Sequence, residues 1–490
     1  MKSETNEDHQ EVGQIHSSGG QEYRLRHEGI CSSNTASTGQ PCPDKVGLDQ
    51  TGTTSLEAIA IKANTHPKHR FQDLYRMLNL AALAKAWNRL NKNASAGVDR
   101  VTAQAYGENL LPNLIGLEQR LRTKRYRCKA VRRSFIPKSN GKQRPLGIPA
   151  LEDKIVQQAV SDILRSIFEW DFSDSSFAYR EGRGAGDATQ SLAANLQWGP
   201  FGYVVEADIQ SFFDHVDHDW MMRMLEQRID DKALLGLIEQ WLKAPVIEVD
   251  GSSHRPDKGT PQGGVISPML ANIYLHYVLD HWFERKIRPK LKARSLLIRY
   301  ADDYILAFQN HRDARALYGS LPARLKKFGL TVAPEKTALT RFSRFRPSMR
   351  RRFKFLGFEY YWWNDQKGRA RLMRRTARSK LKELRQVLKL WLRQNRNRPL
   401  PELAAELRVK MLGHYRYFAV KGNGQSVGRY YTMVTELLFK WLNRCSQRRS
   451  YNWTGFLQLL QLMRLPKPSS ATAAQKRVFW LFEKGVAVAR

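Results

Sequence analysis

Cysteine is scarce in this chain of 490 residues. There are 4 cysteines, at Cys31, Cys42, Cys128 and Cys445, and no two of them form a CxxC pair. This spacing argues against a disulfide framework and against a zinc site made of cysteine thiolates. We therefore expect a protein of a reducing cytosol, where nucleic acid is within reach.

Long apolar runs are also absent. No stretch of the sequence approaches the roughly 20 residues that a membrane-spanning helix needs. The polar N-terminal segment MKSETNEDHQ lacks the features of a signal peptide. The pattern predicts a protein without a membrane partner.

Acidic residues are also few relative to basic ones. The chain carries 81 Lys and Arg against 46 Asp and Glu, a formal net charge of +35. Such an excess attracts a polyanion, and the resulting binding weakens steeply with salt. From charge alone, a ribosomal-type RNA-binding protein without chemistry is an alternative to an enzyme that acts on nucleic acid.

The composition otherwise fits a folded protein. Hydrophobic residues make up 42% of the chain, which has 12 Trp, as expected of a globular protein with a core. Residues 1 to about 60 are polar and short of aromatics, so we expect a flexible tail there and order from near Phe71. Past Arg369 the pattern predicts basic, Trp-rich helices through about Arg464.

Three carboxylates stand out against the basic background. Asp208 ends the apolar run YVVEAD, whereas Asp302 and Asp303 lie at the centre of LLIRYADDYILAF. The second segment predicts a β-hairpin whose turn carries both acids, although Asp is common in ordinary turns too. If the two strands are neighbours, the three carboxylates converge and repel one another unless a cation is present. Two Mg²⁺ ions about 3.5–4 Å apart would relieve that repulsion and clamp an attacking 3′-oxygen and a leaving pyrophosphate.

Further motifs accompany the acids in a fixed order. They are SAGVD (95–99), IPKSNGKQRPLGIPALEDKIVQQAV (136–160), SSFAYREGRGAGDA (175–188), DIQSFFDHVDH (208–218), GTPQGGVISPMLANIYL (259–275), YADD (300–303), GLTVAPEKT (329–337) and FKFLGF (353–358). Together they resemble the motifs of bacterial group II intron-encoded proteins, which are reverse transcriptases with an attached maturase domain. The resemblance covers roughly residues 66 to 460, and the complete ordered set is far more specific than any single motif.

The resemblance implies an α+β right-hand polymerase followed by an α-helical thumb and maturase domain. It divides the chain into a flexible polar tail (1–65), fingers (66–200), a palm with an antiparallel sheet and the catalytic carboxylates (201–365), a helical thumb or maturase domain X (366–464) and a short basic C-terminal tail (465–490).

The resemblance also implies roles for single residues. Asp208, Asp302 and Asp303 are expected to be catalytic and, with Ile209, to contact two Mg²⁺ ions. The residues expected to bind the incoming nucleotide and its phosphates are Lys138, Arg144, Phe213, Gln262 and Lys336, with Arg132 a weaker candidate for the same surface. Cations that flank a Gly-containing turn suit a triphosphate, although hairpin charges are often merely solvated. A ring at position 213 would clash with a 2′-hydroxyl, the alternative being an ordinary core phenylalanine.

The C-terminal third combines basic and aromatic residues. The sequence predicts a basic helical face made of Arg371, Arg374, Arg375, Arg378, Lys380, Lys382 and Arg385. Basic and aromatic side chains together suit structured RNA, although the aromatics also fit the core of a helix bundle. MLGHYRYFAV (411–420) resembles the maturase signature. Nothing after Arg464 resembles the His-Asn-His nuclease domain that many relatives carry.

The resemblance implies an RNA-directed DNA polymerase that copies intron RNA into cDNA and binds that RNA to assist splicing and retrohoming. The expected partners are group II intron RNA, a DNA primer or target, the RNA–DNA hybrid and dNTPs, in the bacterial cytoplasm near the nucleoid. Two alternatives stay open. One is a domesticated or defence-associated reverse transcriptase, and the other is a splicing-only maturase with a dead polymerase, against which the intact acids argue.

Overall fold

The computed structural model describes residues 55–137, 143–444 and 450–468. The helices are α1 (Leu56–Thr65), α2 (Leu80–Arg89), α3 (Ala103–Glu108), α4 (Leu110–Arg122), α5 (Leu151–Phe168), α6 (Ala185–Trp198), α7 (His218–Glu226), α8 (Lys232–Leu242), α9 (Ser267–Leu275), α10 (His311–Lys327), α11 (Arg378–Asn395), α12 (Leu400–Phe418), α13 (Gly424–Leu442) and α14 (Trp453–Met463). The strands are β1 (Val131–Pro137), β2 (Gln143–Ile148), β3 (Tyr203–Ala207), β4 (Val246–Ile247), β5 (Ser253–His254), β6 (Ser295–Tyr300), β7 (Asp303–Phe308), β8 (Ala338–Arg341), β9 (Phe353–Phe355), β10 (Phe358–Asn364) and β11 (Ala370–Thr376). The fold is therefore a mixture of helices and sheets that ends in helices, as predicted.

A central four-stranded sheet has the order β6–β7–β3–β8, with every neighbouring pair antiparallel. Both of its faces are buried. Side chains on one face, Val205, Leu297 and Leu306, belong to one hydrophobic core, and their chain neighbours Val204, Ile298 and Ile305 belong to a second. Because both faces are covered, these strands are continuous apolar runs and do not alternate between apolar and polar residues.

Two smaller sheets flank the central one. In the first, β1 pairs with β2 in antiparallel fashion and with β4 in parallel, and β5 completes the order β2–β1–β4–β5. The predicted hairpin around Asn140-Gly141 is thus present, although its turn, residues 138–142, lies outside the described residues. In the second, the order is β11–β10–β9, and this sheet shares the second core with α11 to α14. The C-terminal helices are therefore packed against the rest of the chain through a common core.

Helix α1 corrects the predicted tail of residues 1–65, because Leu56–Thr65 is helical. The Ser55 hydroxyl caps its first turn, and Ile59 and Ala63 are buried in the first core. The buried guanidinium of Arg228 donates to the Ala63 carbonyl at 3.3 Å. The helical segment, LEAIAIKANT, is itself mostly apolar, but it directly follows the long polar stretch from which the tail was predicted. Residues 1–54 of the predicted tail lie outside the described residues.

Strand β11 corrects the predicted basic helical face. Arg371, Arg374 and Arg375 lie on this strand, which pairs with β10 over its whole length, and the helix begins only at Arg378. Closely spaced arginines are compatible with one face of a helix and also with a strand that has charges on both faces. Neither the helical period nor the strand period is therefore excluded by their spacing. Within the described ranges, no helix is both long enough and apolar enough to cross a bilayer.

Candidate active site

The strand register brings the three acids together. Tyr300 pairs with Asp303 at the end of the β6–β7 hairpin, so Ala301 and Asp302 form its two-residue loop. Ala207 at the end of β3 pairs with Tyr304 of β7, which places the next residues along each strand, Asp208 and Asp303, opposite each other. The predicted hairpin and the predicted neighbouring strands are thus confirmed.

The electrostatics of the three acids reflect their crowding. Burial raises the pKa of Asp302, and the charge of Asp208 raises it further. Burial, followed by the charges of Asp302 and Asp208, raises the pKa of Asp303 to about 7, even though one side of this residue is open to solvent. Each ionised carboxylate therefore makes ionisation of its neighbours less favourable, and a cation among them would reverse that effect.

A lysine already lies beside the acids. The ammonium group of Lys336 forms an ion pair with the Asp208 carboxylate. Lys336 ends a single 3₁₀ turn, Pro334–Lys336, which is anchored because the Ala333 amide donates to the Asp208 carbonyl at 2.9 Å. The turn therefore places the lysine beside the acids.

The donor atoms at this site suit a divalent cation. Ile209 has a buried side chain, and its bridge to Val332 uses the Asp208 carbonyl and the Gln210 amide, so the Ile209 carbonyl is the oxygen that it can offer a metal. Carboxylate and carbonyl oxygens are the ligands that Mg²⁺ prefers. Across the described ranges, no group of three acidic, histidine or cysteine side chains already stands in a closed metal-binding cluster. The donor set fits a metal, and the carboxylates must close around it.

The first flanking sheet contributes a cation to the site. Arg144 lies on β2, and its positive charge opposes the rise in the pKa of Asp302, so β2 brings a cation within electrostatic range of the acids. The weaker candidate Arg132 is placed differently, because its guanidinium donates to the Ala96 carbonyl at 2.7 and 3.2 Å and is thereby committed to the loop of residues 95–99. Lys138 lies outside the described residues.

Two adjacent phenylalanines on a 3₁₀ turn after β3 differ in their burial. Phe212 is buried in the first core, and Phe213 is half-buried with its ring centroid 5.3 Å from that of Phe212. The Phe213 carbonyl accepts a hydrogen bond from the Thr260 amide at 2.8 Å. Because Phe212 fills the core, the Phe213 ring is the one of the two that stays partly exposed.

The glycine-containing loop of residues 259–264 joins this turn to the first flanking sheet. The Gln262 side-chain amide donates to Asp214 at 3.4 Å, and its carbonyl accepts from the Gly147 amide of β2 at 2.7 Å. Gly263 has a φ of 115° and lies so close to β2 that an added Cβ would meet the Gly147 carbonyl oxygen at 2.9 Å. Only glycine permits both the conformation and the approach. The loop thus brings Gln262 to the same side of the site as Arg144.

Two further residues of the site were not singled out from the sequence. Tyr179 is exposed, has a φ of 59°, and lies near Asp302, whose charge adds to burial in raising the tyrosine pKa. Arg299, just before the acidic turn, is fully buried. A charged residue inside the apolar run LLIRY was the available signal for Arg299, since an unpaired arginine is almost never buried.

Comparison with known proteins identifies relatives of this chain. A family model described as reverse transcriptase (RNA-dependent DNA polymerase) matches residues 136–360. This range includes every residue of the site described above apart from Arg132 and the loop at 95–99. Protein YkfC of Escherichia coli is 34% identical over 282 residues, which are 51% of this chain and 73% of that protein. Group II intron-encoded protein LtrA of Lactococcus lactis subsp. cremoris is 37% identical over 226 residues, 45% of this chain and 37% of LtrA.

A more distant relative comes from a eukaryote. The putative COX1/OXI3 intron 1 protein of Saccharomyces cerevisiae is 27% identical over 311 residues, 54% of this chain and 37% of that protein. The chain thus spans little more than a third of the length of the two intron-encoded relatives, but nearly three quarters of YkfC.

Proposed function

Because the chain belongs to the reverse transcriptase family, the RNA-directed DNA polymerases, we propose that it extends a DNA primer along the RNA of a group II intron and helps that RNA to splice. The observation that carries this proposal is the convergence of Asp208, Asp302 and Asp303 at the ends of neighbouring strands. Three carboxylates at one place suit phosphoryl transfer, in which metal-bound charge stabilises the transition state.

In a right-hand polymerase, we assign the first flanking sheet and its helices to the fingers (66–200, with β4 and β5 added from later in the chain). The central sheet forms the palm (201–365), and α11 to α14 form the thumb and maturase domain (366–464). The two cores support this assignment, because one face of the palm sheet lies in the core shared with helices α1 to α5, and the other lies in the core shared with α6, β9, β10 and the C-terminal helices. The excess of positive charge supports residence on nucleic acid in the bacterial cytoplasm.

Metal binding is assigned to four residues. The carboxylates of Asp208, Asp302 and Asp303 and the carbonyl of Ile209 would hold two Mg²⁺ ions. When bound, these ions supply the positive charge that the attacking 3′-oxygen and the leaving pyrophosphate require. Lys336 neutralises Asp208 and provides a cation where the pyrophosphate would depart, supported by its ion pair with that acid.

Nucleotide binding is assigned to the residues around the acids. We infer that Arg144 holds the triphosphate together with Lys138, because Arg144 lies on β2, the strand whose Gly147 amide contacts the loop that carries Gln262, and a guanidinium suits phosphate oxygens. Gln262 is also assigned to nucleotide binding, because the neighbouring glycines of its loop leave room for close approach. Phe213 is assigned to the sugar, as the half-buried ring with an open surface.

The proposed function predicts primer extension that depends on RNA template and on divalent metal. A DNA primer annealed to intron RNA is expected to be extended with dNTPs and Mg²⁺, and not when EDTA removes the metal. A random RNA template of equal length serves as the comparison. Equal extension with Mg²⁺ and with EDTA would contradict the metal-dependent polymerase. If intron RNA binds no better than the random RNA, the chain is better described as a domesticated or defence-associated reverse transcriptase.

Replacing Phe213 with alanine is expected to admit ribonucleotides. The ring would no longer meet the 2′-hydroxyl, so the ratio of rNTP to dNTP incorporation should rise by roughly 10- to 200-fold, as for other steric pockets. The measurement is kcat/KM for matched rNTP and dNTP on one template. Phe213→Tyr, which keeps the ring, should retain the wild-type ratio. An unchanged ratio in folded Phe213→Ala would show that the ring only packs against Phe212.

A further inference from the structure

A buried ion pair lies directly behind the acidic turn. Arg299 of β6 and Asp280 are both 0% exposed, and their side chains are joined at two points, Nε to Oδ1 at 2.8 Å and Nη2 to Oδ2 at 2.5 Å. Burying two charges costs much of the free energy that their attraction returns, so such a pair is weak support for stability alone. The structural role of the ion pair therefore lies in the groups that Arg299 holds in place.

The third nitrogen of Arg299 reaches the acidic turn itself. Nη1 donates to the Ala301 carbonyl at 3.3 Å and to the Asn272 side-chain oxygen at 3.2 Å. Ala301 has a φ of 56°, in the left-handed region that a residue with a Cβ avoids. A backbone in this conformation persists only when its surroundings restrain it. The restraint from Arg299 acts on the carbonyl of the peptide group whose nitrogen belongs to Asp302.

Asn272 extends the same network to the other side of the site. Its side-chain amide donates to the Ala178 carbonyl at 2.7 Å, in a fully buried hydrogen bond. That carbonyl belongs to the peptide group that leads into Tyr179, which also has a positive φ, 59°. One buried cluster of Asp280, Arg299 and Asn272 therefore holds two left-handed residues, one at the acidic turn and one facing Asp302.

The helix that carries Asn272 and Asp280 is built to present both to Arg299. In a regular α-helix, residues eight positions apart differ by about 80° in direction. Here α9 passes into a π-helical turn over His276–Asp280, whose wider turn reduces that divergence. His276, within that turn, stays uncharged because burial and neighbouring charges lower its pKa to about 3. The charge that balances the arginine is that of the Asp280 carboxylate, and an uncharged His276 adds no repulsion to the pair.

We propose that Arg299, held by Asp280 and Asn272, is a positioning residue for nucleotide transfer. It fixes the strained turn at Ala301 and so sets where the Asp302 carboxylate stands relative to Asp208 and Tyr179. It contacts neither metal nor substrate. This inference rests on the polymerase function proposed above, and it adds to that function the buried groups that keep its acidic turn in working geometry.

The test is Asp280→Asn, which keeps the shape of the side chain and removes the charge that anchors Arg299. We expect kcat for primer extension to fall about 100-fold, the effect of moving a catalytic group by ~1 Å. The KM for dNTP and the Kd for an RNA–DNA hybrid should stay near the wild-type values, because the groups that bind them are untouched. The Mg²⁺ concentration that gives half the maximal rate should rise.

A second ion pair, with a buried arginine and a half-buried acid, provides the control. Arg228 and Asp171 are joined at 2.5 Å, and the other hydrogen bonds of this arginine go to the carbonyls of Ala63 and Pro67, in the N-terminal region. Asp171→Asn should lower the melting temperature and leave kcat near wild type. If Asp280→Asn and Asp171→Asn lose kcat equally, or if folded Asp280→Asn keeps full kcat, Arg299 has no positioning role.

Two additions keep the test decisive. Asn272→Leu leaves the ion pair intact, so it covers the case in which Asp280→Asn does not fold. It should lower kcat by roughly 5- to 100-fold through the loss of two hydrogen bonds, the one from Arg299 and the one to the Ala178 carbonyl. An unchanged kcat overturns the proposal. The rise in melting temperature with added Mg²⁺ is a readout without catalysis. It should weaken in Asp280→Asn and persist in Asp171→Asn. If the melting temperatures show this difference between the two variants but the wild-type protein extends no primer, the polymerase function is contradicted and the positioning role is not.

Discussion

Asp302→Asn is expected to slow primer extension by about 10³-fold or more, because the substitution removes one of the charges that stabilise the transition state. The variant should fold at least as well as the wild type. Burial and the charge of Asp208 already disfavour ionised Asp302, so a neutral side chain of the same shape relieves repulsion. Single-turnover extension rates and melting temperatures, with and without Mg²⁺, measure both effects.

Glu206→Gln is the matched control for this loss of charge. Glu206 lies on β3 two residues before Asp208, and its carboxylate accepts a hydrogen bond from the Lys354 amide at 3.2 Å. Burial raises its pKa, as it does for Asp302. The control removes a similar buried acid without touching the three converging carboxylates, so its extension rate should stay near wild type. Equal losses in the two variants would contradict the assignment of the metal site.

Removing a stripe of positive charge from α11 is expected to weaken RNA binding while leaving the polymerase intact. Arg378, Lys382 and Lys389 are exposed, and their spacing places them on one side of the helix. Removing one cation that binds a phosphate should reduce the slope of log K against log salt by about 0.7–0.9. The triple alanine variant should therefore lower that slope by about 2–3. Filter binding of intron RNA across a salt series measures it, and extension at saturating primer–template checks the polymerase.

This choice of residues follows from the structure. Arg375, a member of the predicted helical face, lies on β11, and its guanidinium donates to Glu359 at 2.7 Å, so replacing it would disturb the β10–β11 pairing as well as the surface charge. Arg374 lies over the Phe358 ring at 5.8 Å. Neither residue isolates the effect of charge on RNA binding, whereas the exposed residues of α11 do.

The matched control removes three charges elsewhere. Arg122, Lys124 and Arg125, at the end of α4, are exposed and as basic as the stripe on α11. Their replacement by alanine should weaken intron binding less. Equal weakening would mean that RNA responds to net charge and not to the α11 surface.

The converse variant removes the polymerase acids and keeps the basic surface of α11. Asp302→Ala with Asp303→Ala should end DNA synthesis and leave intron binding and assisted splicing nearly unchanged, since loss of acids from a chain of net charge +35 slightly favours binding to a polyanion. If this folded variant fails to bind intron RNA, the two activities share one site, and the proposed division between palm and C-terminal helices is wrong.

The hairpin and strand that position the acids could be predicted from the sequence, because they are formed by local segments and are buried on both faces. The β6–β7 hairpin follows from an acidic pair between two apolar runs, and β3 from an apolar run that ends in Asp208. Both faces of these strands are covered, so their apolar runs are continuous and easy to recognise. Lys336 was predicted to bind the phosphates of the nucleotide. It forms an ion pair with Asp208, and its contact with phosphate stays a prediction. The chemical roles of these residues remain predictions.

Other features depended on contacts that no local pattern records. Helix α1 is fixed by packing and by Arg228, more than 160 residues away in sequence. The partner of Arg299 is Asp280, and it faces the arginine because a helix changes its winding between Asn272 and Asp280. Strand β11 is fixed by its register with β10. The first two contacts join separate elements of the chain. The third is a hairpin pairing, and closely spaced arginines do not distinguish that strand from a helix. Local periodicity alone could therefore not identify any of the three.

The order β6–β7–β3–β8 also has a consequence while the protein is being made. About 130 residues separate β3 from β8, its partner on one edge. At 5–20 residues per second, a ribosome needs roughly 6–26 s to translate that stretch. During this interval one edge of β3 is unpaired, and an unpaired apolar edge readily pairs with another chain. The pace of translation and the crowding of nascent chains, more than the stability of the finished fold, therefore set the aggregation hazard in producing this protein.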